Sequence, residues 1–225
     1  MPDTTDAKSE ATRRGLMFVL SSPSGAGKST IAAHLIKNDP DLKLSISVTT
    51  RPRRSSEIEG VHYFFRSKRD FEKMVERKEL IEWAEVHGNY YGTPRQFVED
   101  ELSGGRDVLF DVDVQGAKLL RKAMPDDIAT VFILPPSVME MKSRLKRRAE
   151  DSDEAILKRM TTALDELKNL SAYDYLVVND DLEKAMGEVK AILIAERLRR
   201  VRQGGNRNLA EQLHRDLQAE TADAA

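Results

Sequence analysis

Apolar positions along this chain follow two alternating rhythms. Runs that are apolar almost throughout occur at residues 16–21 (LMFVLS), 42–48 (LKLSISV), 107–113 (DVLFDVD), 129–134 (ATVFIL) and 175–179 (YLVVN). Short runs without polar alternation predict parallel strands covered on both faces. Between them, apolar residues recur at helical spacing. Phe71, Met74 and Val75 share one face. Ile156, Met160, Ala163, Leu164 and Leu167 form a second stripe, and Leu182, Met186, Val189 and Leu193 a third. Strand and helix in repetition predict an α/β fold with a mainly parallel central sheet. Residues 48–93 break the rhythm. There, VHYFF and ELIEWAEV read as short antiparallel strands around one helix, so the stretch is expected to be an inserted mixed α/β lobe. Trp83 and the methionines read as core.

The polar start reads as a loose tail over residues 1–13, followed by one domain over 14–204. Gly204 and Gly205 punctuate its end, and 205–225 read as a helical tail. Leu209, Leu213 and Leu217 make a narrow stripe on that tail, either a short solvated helix or a contact for a partner or homo-oligomer. A length of 225 residues suits one elaborated domain. The formal net charge is −2 with 33% charged residues. That balance argues against a general nucleic-acid or membrane-surface binder. The chain has no cysteine, which excludes disulfides, thiolate metal sites and a cysteine nucleophile. Its four histidines show no metal-like spacing. No apolar run approaches the roughly 18 residues that span a bilayer. The first residues lack the apolar segment of a secretory signal. A cytoplasmic protein is therefore expected.

Directly behind the first apolar run stands SSPSGAGKST, residues 21–30. A strand, a glycine-rich turn and a helix starting near Lys28 form the context of a phosphate loop. Glycines let backbone N–H groups approach an anion, and the helix N-terminus adds its positive end. The candidate ATP-binding loop comprises Ser22, Pro23, Ser24, Gly25, Ala26, Gly27, Lys28, Ser29 and Thr30. Lys28 is placed to reach the β- and γ-phosphates, and Ser29 to ligate Mg²⁺. The pattern G-x-x-x-x-G-K-[S/T] begins with glycine, whereas this chain has Ser22 there. The loop makes the whole a P-loop three-layer α/β fold.

Other stretches carry chemistry less specifically. Arg51, Arg53 and Arg54 fall within four residues and suit a second phosphate, since guanidinium forks match phosphate oxygens. Asp111 and Asp113 end an apolar strand, where ligands gather in open α/β sheets. Asp111 resembles the second acidic element of phosphate-loop enzymes, which helps hold Mg²⁺. A helix cap is the plain alternative for one of the pair. Residues 137–170 predict two helices around an acidic polar loop. Arg144 and Arg148, four apart, share one face of the first, and Arg159 lies on the second.

SVTTRPRRSSEIEGVHYFF, IEWAEVHGNYYGTP, LFDVDVQG and YLVVNDDLEKA follow the phosphate loop in the order seen in guanylate kinases. Over roughly residues 14–202 the chain resembles that family, the bacterial enzymes above all. The resemblance implies that 48–93 form a GMP-binding lobe and about 137–170 a helical lid. It implies GMP-phosphate ligands at Arg51, Arg54, Tyr63 and Tyr91, and guanine contacts at Glu82, Thr93 and Asp113, with Ser47 at the edge of the guanine site and Asp111 nearby. It sets Lys28, Arg51, Arg144, Arg148 and Arg159 around the transferring phosphoryl group, Asn179 near the adenine of ATP, and Mg²⁺ at Ser29 and Asp111. Glu82 has independent support. Guanine N1–H and N2–H₂ are neighbouring donors that suit an acceptor-only carboxylate, whereas adenine presents an acceptor at N1. Thr93 or Ser47 would donate to guanine O6. The implied activity is γ-phosphoryl transfer from ATP to GMP, and to dGMP. The competing expectation is a non-catalytic, peptide-binding module of the same fold.

Overall fold

The computed structural model describes residues 13–86, 88–148 and 153–223. Most of the expected tail, His87 and part of the acidic loop between the lid helices lie outside the described residues. The chain opens with β1 (Met17–Ser21), which is buried along its whole length. The phosphate loop leads into α1 (Lys28–Asn38), then β2 (Leu42–Leu44). A lobe follows, made of β3 (Val48–Thr49), β4 (Phe64–Phe65), α2 (Lys68–Glu76), β5 (Leu80–Val86) and β6 (Asn89–Pro94). The chain then returns through α3 (Arg95–Ser103), β7 (Asp107–Asp111), α4 (Val114–Ala123) and β8 (Ile128–Leu134). A helix pair follows, α5 (Val138–Arg148) and α6 (Asp153–Leu167), where the lid is expected, and the end is β9 (Tyr175–Val178), α7 (Leu182–Arg197) and α8 (Gly204–Asp223).

The central sheet has the order β2-β7-β1-β8-β9 and is parallel throughout. Two apolar clusters cover it. Leu16, Phe18 and Leu20 face α1 and α7 through Ile31, Leu35, Val189 and Leu193. Met17 and Val19 face α3 and α4 through Val98, Leu102, Ala117 and Leu120. Alternate residues of β1 thus feed opposite cores, which is why the strand carries no polar alternation.

The strand pairing of the lobe differs in one respect from the sequence expectation. β6 pairs antiparallel with β3 and β5, but β4 lies parallel to β3. Residues 50–63 connect those two strands, and a parallel return requires a connection of roughly a dozen residues. Ser67 caps α2 by accepting from the Asp70 N–H at 3.1 Å, and Phe71 anchors the lobe core with Val48 and Leu80. Trp83, expected in the core, is 45% exposed and meets Phe71 and Tyr90 edge-on. On α6, Ile156 and Ala163 are buried with Met141 and Leu145 of α5 in a small separate core, while Leu164 and Leu167 of the expected stripe are exposed.

The end of the sheet away from the phosphate loop is tied by a charge knot. Asp107, with no exposed surface, accepts from Arg13 at 2.6 and 2.9 Å, from the Leu16 N–H at 2.9 Å and from Arg197 Nε at 2.6 Å. Arg13, assigned by sequence to the tail, is therefore held. Arg197 also pairs with Asp39 at 2.7 Å. Burial opposes the Arg197 charge, but its two carboxylate partners raise its pKa above the ordinary value. Removing one member of such a group strands the others. Asp107→Ala should cost about 3–5 kcal/mol in denaturant unfolding. A loss below about 1 kcal/mol would show that the knot is not a stabilising feature.

Candidate active site

The phosphate loop turns between β1 and α1. Gly25 and Gly27 adopt φ of 88° and 97°, a region that favours glycine. Among the described residues, Lys78 alone of the non-glycine residues has positive φ. Ser22 therefore needs no left-handed backbone, and its hydroxyl donates to the Pro23 carbonyl at 3.0 Å. That is how serine fits where the pattern has glycine. Gly27 caps α1 without a side chain, leaving the positive helix end open to an anion. A Cβ on Gly27 would collide with the Asn179 amide nitrogen. Gly27→Ala combines this clash with a left-handed backbone costing about 1–2 kcal/mol. Its expected outcome is a lower Tm and weaker ATP binding, measurable by thermal melts and nucleotide titration.

Lys28, Ser29 and Asp111 converge. Lys28 Nζ lies 2.6 Å from Asp111 Oδ1 and donates to the Val112 carbonyl at 2.9 Å. The Ser29 hydroxyl donates to Asp111 Oδ2 at 3.2 Å. A hydroxyl and a carboxylate side by side are oxygen donors of the kind Mg²⁺ takes when phosphates complete its shell. Among the described residues, no group of three His, Cys, Asp or Glu is arranged for a metal. The strand expected to reach residue 113 ends at Asp111, because the Asp113 carboxylate caps α4 by accepting from the Gly116 N–H at 2.8 Å.

Two cavities flank this centre. One, of about 510 Å³, runs from Ser29 and Asp111 to Ser47, His62 and Tyr63 of the lobe. The other, of about 500 Å³, is bounded by Gly25, Gly27, Thr30, Arg144, Asn179 and Leu182. Asn179 is buried, and its amide donates to the Ala26 carbonyl at 2.7 Å. Arg144 is held by Glu140 at 2.7 Å and donates to the Asn179 carbonyl at 3.1 Å. This chain of contacts joins α5, the end of β9 and the phosphate loop. Arg159 is half-buried on α6, and Arg148 ends α5 with its side chain outside the described residues.

In the lobe, Arg51 lies 5.4 Å from the centre of the Tyr63 ring, and Tyr63 meets Tyr91 edge-on. Arg54 is exposed on the same loop. Thr93, buried on β6, donates to Glu82 Oε1 on β5 at 2.7 Å. Burial pushes the Glu82 carboxyl above the ordinary range; the Thr93 hydrogen bond opposes this and the Asp113 charge adds to it. Two groups escaped the sequence reading. Glu166 on α6 is raised by burial, with Lys28 lowering it and Asp113 raising it, which sets it in the field of the phosphate loop. Glu57 binds Arg51 in a two-point ion pair at 3.1 and 2.7 Å. Its place three residues after Arg54, within reach of that N–H across a turn, was the available signal.

The chain matches known proteins over most of its length. The guanylate kinase family model matches residues 14–196. The chain belongs to the guanylate kinase family. A guanylate kinase from Chelativorans sp. (strain BNC1) is 61% identical over 193 residues, covering 86% of this chain and 88% of that protein. One from Rhizobium meliloti (strain 1021) is 57% identical over 205 residues, covering 91% and 94%. The crystal structure of guanylate kinase from Anaplasma phagocytophilum matches with a TM-score of 0.72 and 36% identity, over 91% of this chain and 97% of that one. The lobe, the α5–α6 pair and the phosphate loop of this chain all fall inside the guanylate kinase match, and α8 lies beyond it.

Proposed function

We propose that the protein transfers the γ-phosphoryl group of ATP to GMP, giving ADP and GDP. One observation carries the reading: Lys28, Ser29 and Asp111 meet at the helix N-terminus between two cavities, one opening to the lobe and one to the lid. Two phosphate tails entering from opposite sides would meet there. In this reading the lid-side cavity takes ATP and the lobe-side cavity takes GMP. The acceptor is an anionic phosphate oxygen, so no general base is required. In-line positioning and charge stabilisation then carry the rate. Lys28 supplies a point charge to the phosphates, and Arg144, Arg148 and Arg159 bring further positive charge from the lid. Ser29 and Asp111 would hold Mg²⁺, which would supply positive charge against the phosphates.

On the acceptor side, Arg51, Arg54, Tyr63 and Tyr91 take the GMP phosphate. Glu82 reads the guanine N1–H and N2–H₂ edge, with Asp113 beside it. The single hydroxyl hydrogen of Thr93 goes to Glu82, so Ser47 is left as the donor to O6. The binding-module alternative would tolerate loss of these groups, yet this chain keeps them. Among the described residues no helix is long and apolar enough to cross a membrane. A coupled ADP-release assay with GMP, dGMP, AMP and UMP tests the reading. Turnover should be fastest with GMP, followed by dGMP. No turnover with GMP, or faster turnover with AMP, would overturn it.

A further inference from the structure

We infer that Glu57 is a positioning residue for the acceptor phosphate, acting through Arg51; this rests on the reading that the lobe binds GMP. The contacts define how. Glu57 takes both terminal nitrogens of Arg51: Nη1 donates to Oε2 at 3.1 Å and Nη2 to Oε1 at 2.7 Å. The second Nη1 hydrogen goes to the Pro52 carbonyl at 2.7 Å. One face of the guanidinium lies against Tyr63, and Phe65 is 5.9 Å from its central carbon. The end-on pairing keeps Glu57 off the side-on fork, Nε with the remaining Nη2 hydrogen; the Tyr91 hydroxyl also meets this guanidinium, so an oxyanion at the fork would be shared between Arg51 and Tyr91. Tyr63, against which Arg51 is set, lines the cavity that runs to Ser29 and Asp111.

Glu57 also shapes the loop that carries the second phosphate ligand. Its Oε2 accepts from the Arg54 N–H at 2.8 Å, and its carbonyl accepts from Arg53 Nη1 at 2.8 Å. One carboxylate thus fixes the Arg51 side chain and the Arg54 backbone together. Its side chain is only 11% exposed. The Arg51 guanidinium first, and the Arg54 N–H next, hold the carboxyl down to about 2. It is therefore ionised throughout the working pH range. An arginine without that carboxylate would lose its orientation and become one more mobile cation on an exposed loop. Pre-organisation of this kind lowers the ordering cost of binding.

The test separates phosphate positioning from loop stability. Glu57→Gln keeps the shape and one acceptor oxygen but loses the charge. The expected result is a rise in KM for GMP of about tenfold, the scale of one charge-assisted hydrogen bond. KM for ATP should stay within about twofold, and competitive inhibition by guanosine, which has no phosphate, should be unchanged. On an Arg51→Ala background, Glu57→Gln should add no further loss. If the Gln variant melts early, Glu57→Asp, which keeps the charge on a shorter stem, carries the same comparison with a smaller loss. An unchanged KM for GMP, an equal weakening of guanosine and GMP, or full additivity with Arg51→Ala would each overturn the inference. Failure of the GMP reading itself would show first in the parent protein, as absence of turnover with GMP.

Discussion

Lys28→Ala should lower kcat for phosphoryl transfer by about two to three orders of magnitude while the protein still folds. The magnitude is that of removing one donor aimed at charge developing in a transition state. The geometry says why so much rests on one residue. Nζ is held at 2.6 Å from Asp111 and 2.9 Å from the Val112 carbonyl, so the ammonium is positioned before any phosphate arrives. It stands at the open N-terminus of α1, where Gly27 provides no side-chain cap. Folding should survive because the Lys28 side chain is partly exposed and Asp111 retains its contact with the Ser29 hydroxyl. The loss should appear in kcat more than in KM for ATP, the pattern of an interaction strongest in the transition state. Circular dichroism and thermal melts verify the fold, and saturating-substrate kinetics read the effect. Normal turnover in a folded variant would remove Lys28 from the mechanism.

How much of this was legible in sequence depended on how local each feature is. The central strands were readable because both faces of β1 are buried, so its residues carry the signal without knowledge of their neighbours. Lys28, Ser29 and Asp111 were readable because a loop pattern and a strand end each place a side chain at the same sheet edge. The parallel pairing of β4 with β3 was not, because register between strands joined by residues 50–63 is set by the path of that loop. Trp83 was read inward from its type, yet the indole sits on the outer side of a small lobe whose core Phe71 already fills. Asp113 was legible as an acid at a strand end but not as the cap that stops the strand two residues earlier. Glu57 lay inside the arginine-rich stretch, and one-dimensional spacing did not reveal that the loop would fold its carboxylate onto Arg51.

Glu82→Gln should reduce the preference for GMP over AMP, as a ratio of kcat/KM, by about 100-fold or more, and should also stabilise the folded protein at neutral pH. Both effects come from one carboxylate. A site that presents buried acceptors to two donors rejects a base lacking them strongly, because its polar atoms are then left unpaired. The amide keeps one acceptor and replaces the other with a donor, which suits the N1 acceptor of adenine and opposes guanine. The stability effect follows from the raised Glu82 carboxyl, whose leading cause is burial. The unfolded chain releases this proton near ~4.3, the ordinary glutamate value. The folded chain keeps it to higher pH, so stability falls as pH climbs through that window and then levels off. Glutamine removes that cost, and its carbonyl can still accept from Thr93. At pH 4, where the carboxyl is largely protonated, the two proteins should melt nearly together. At pH 7 the variant should melt higher, by about 2–4 °C for each kcal/mol relieved. A selectivity ratio equal to the parent's would remove Glu82 as the base reader. A parent and variant that melt identically at both pH values would show that its ionisation costs the fold nothing.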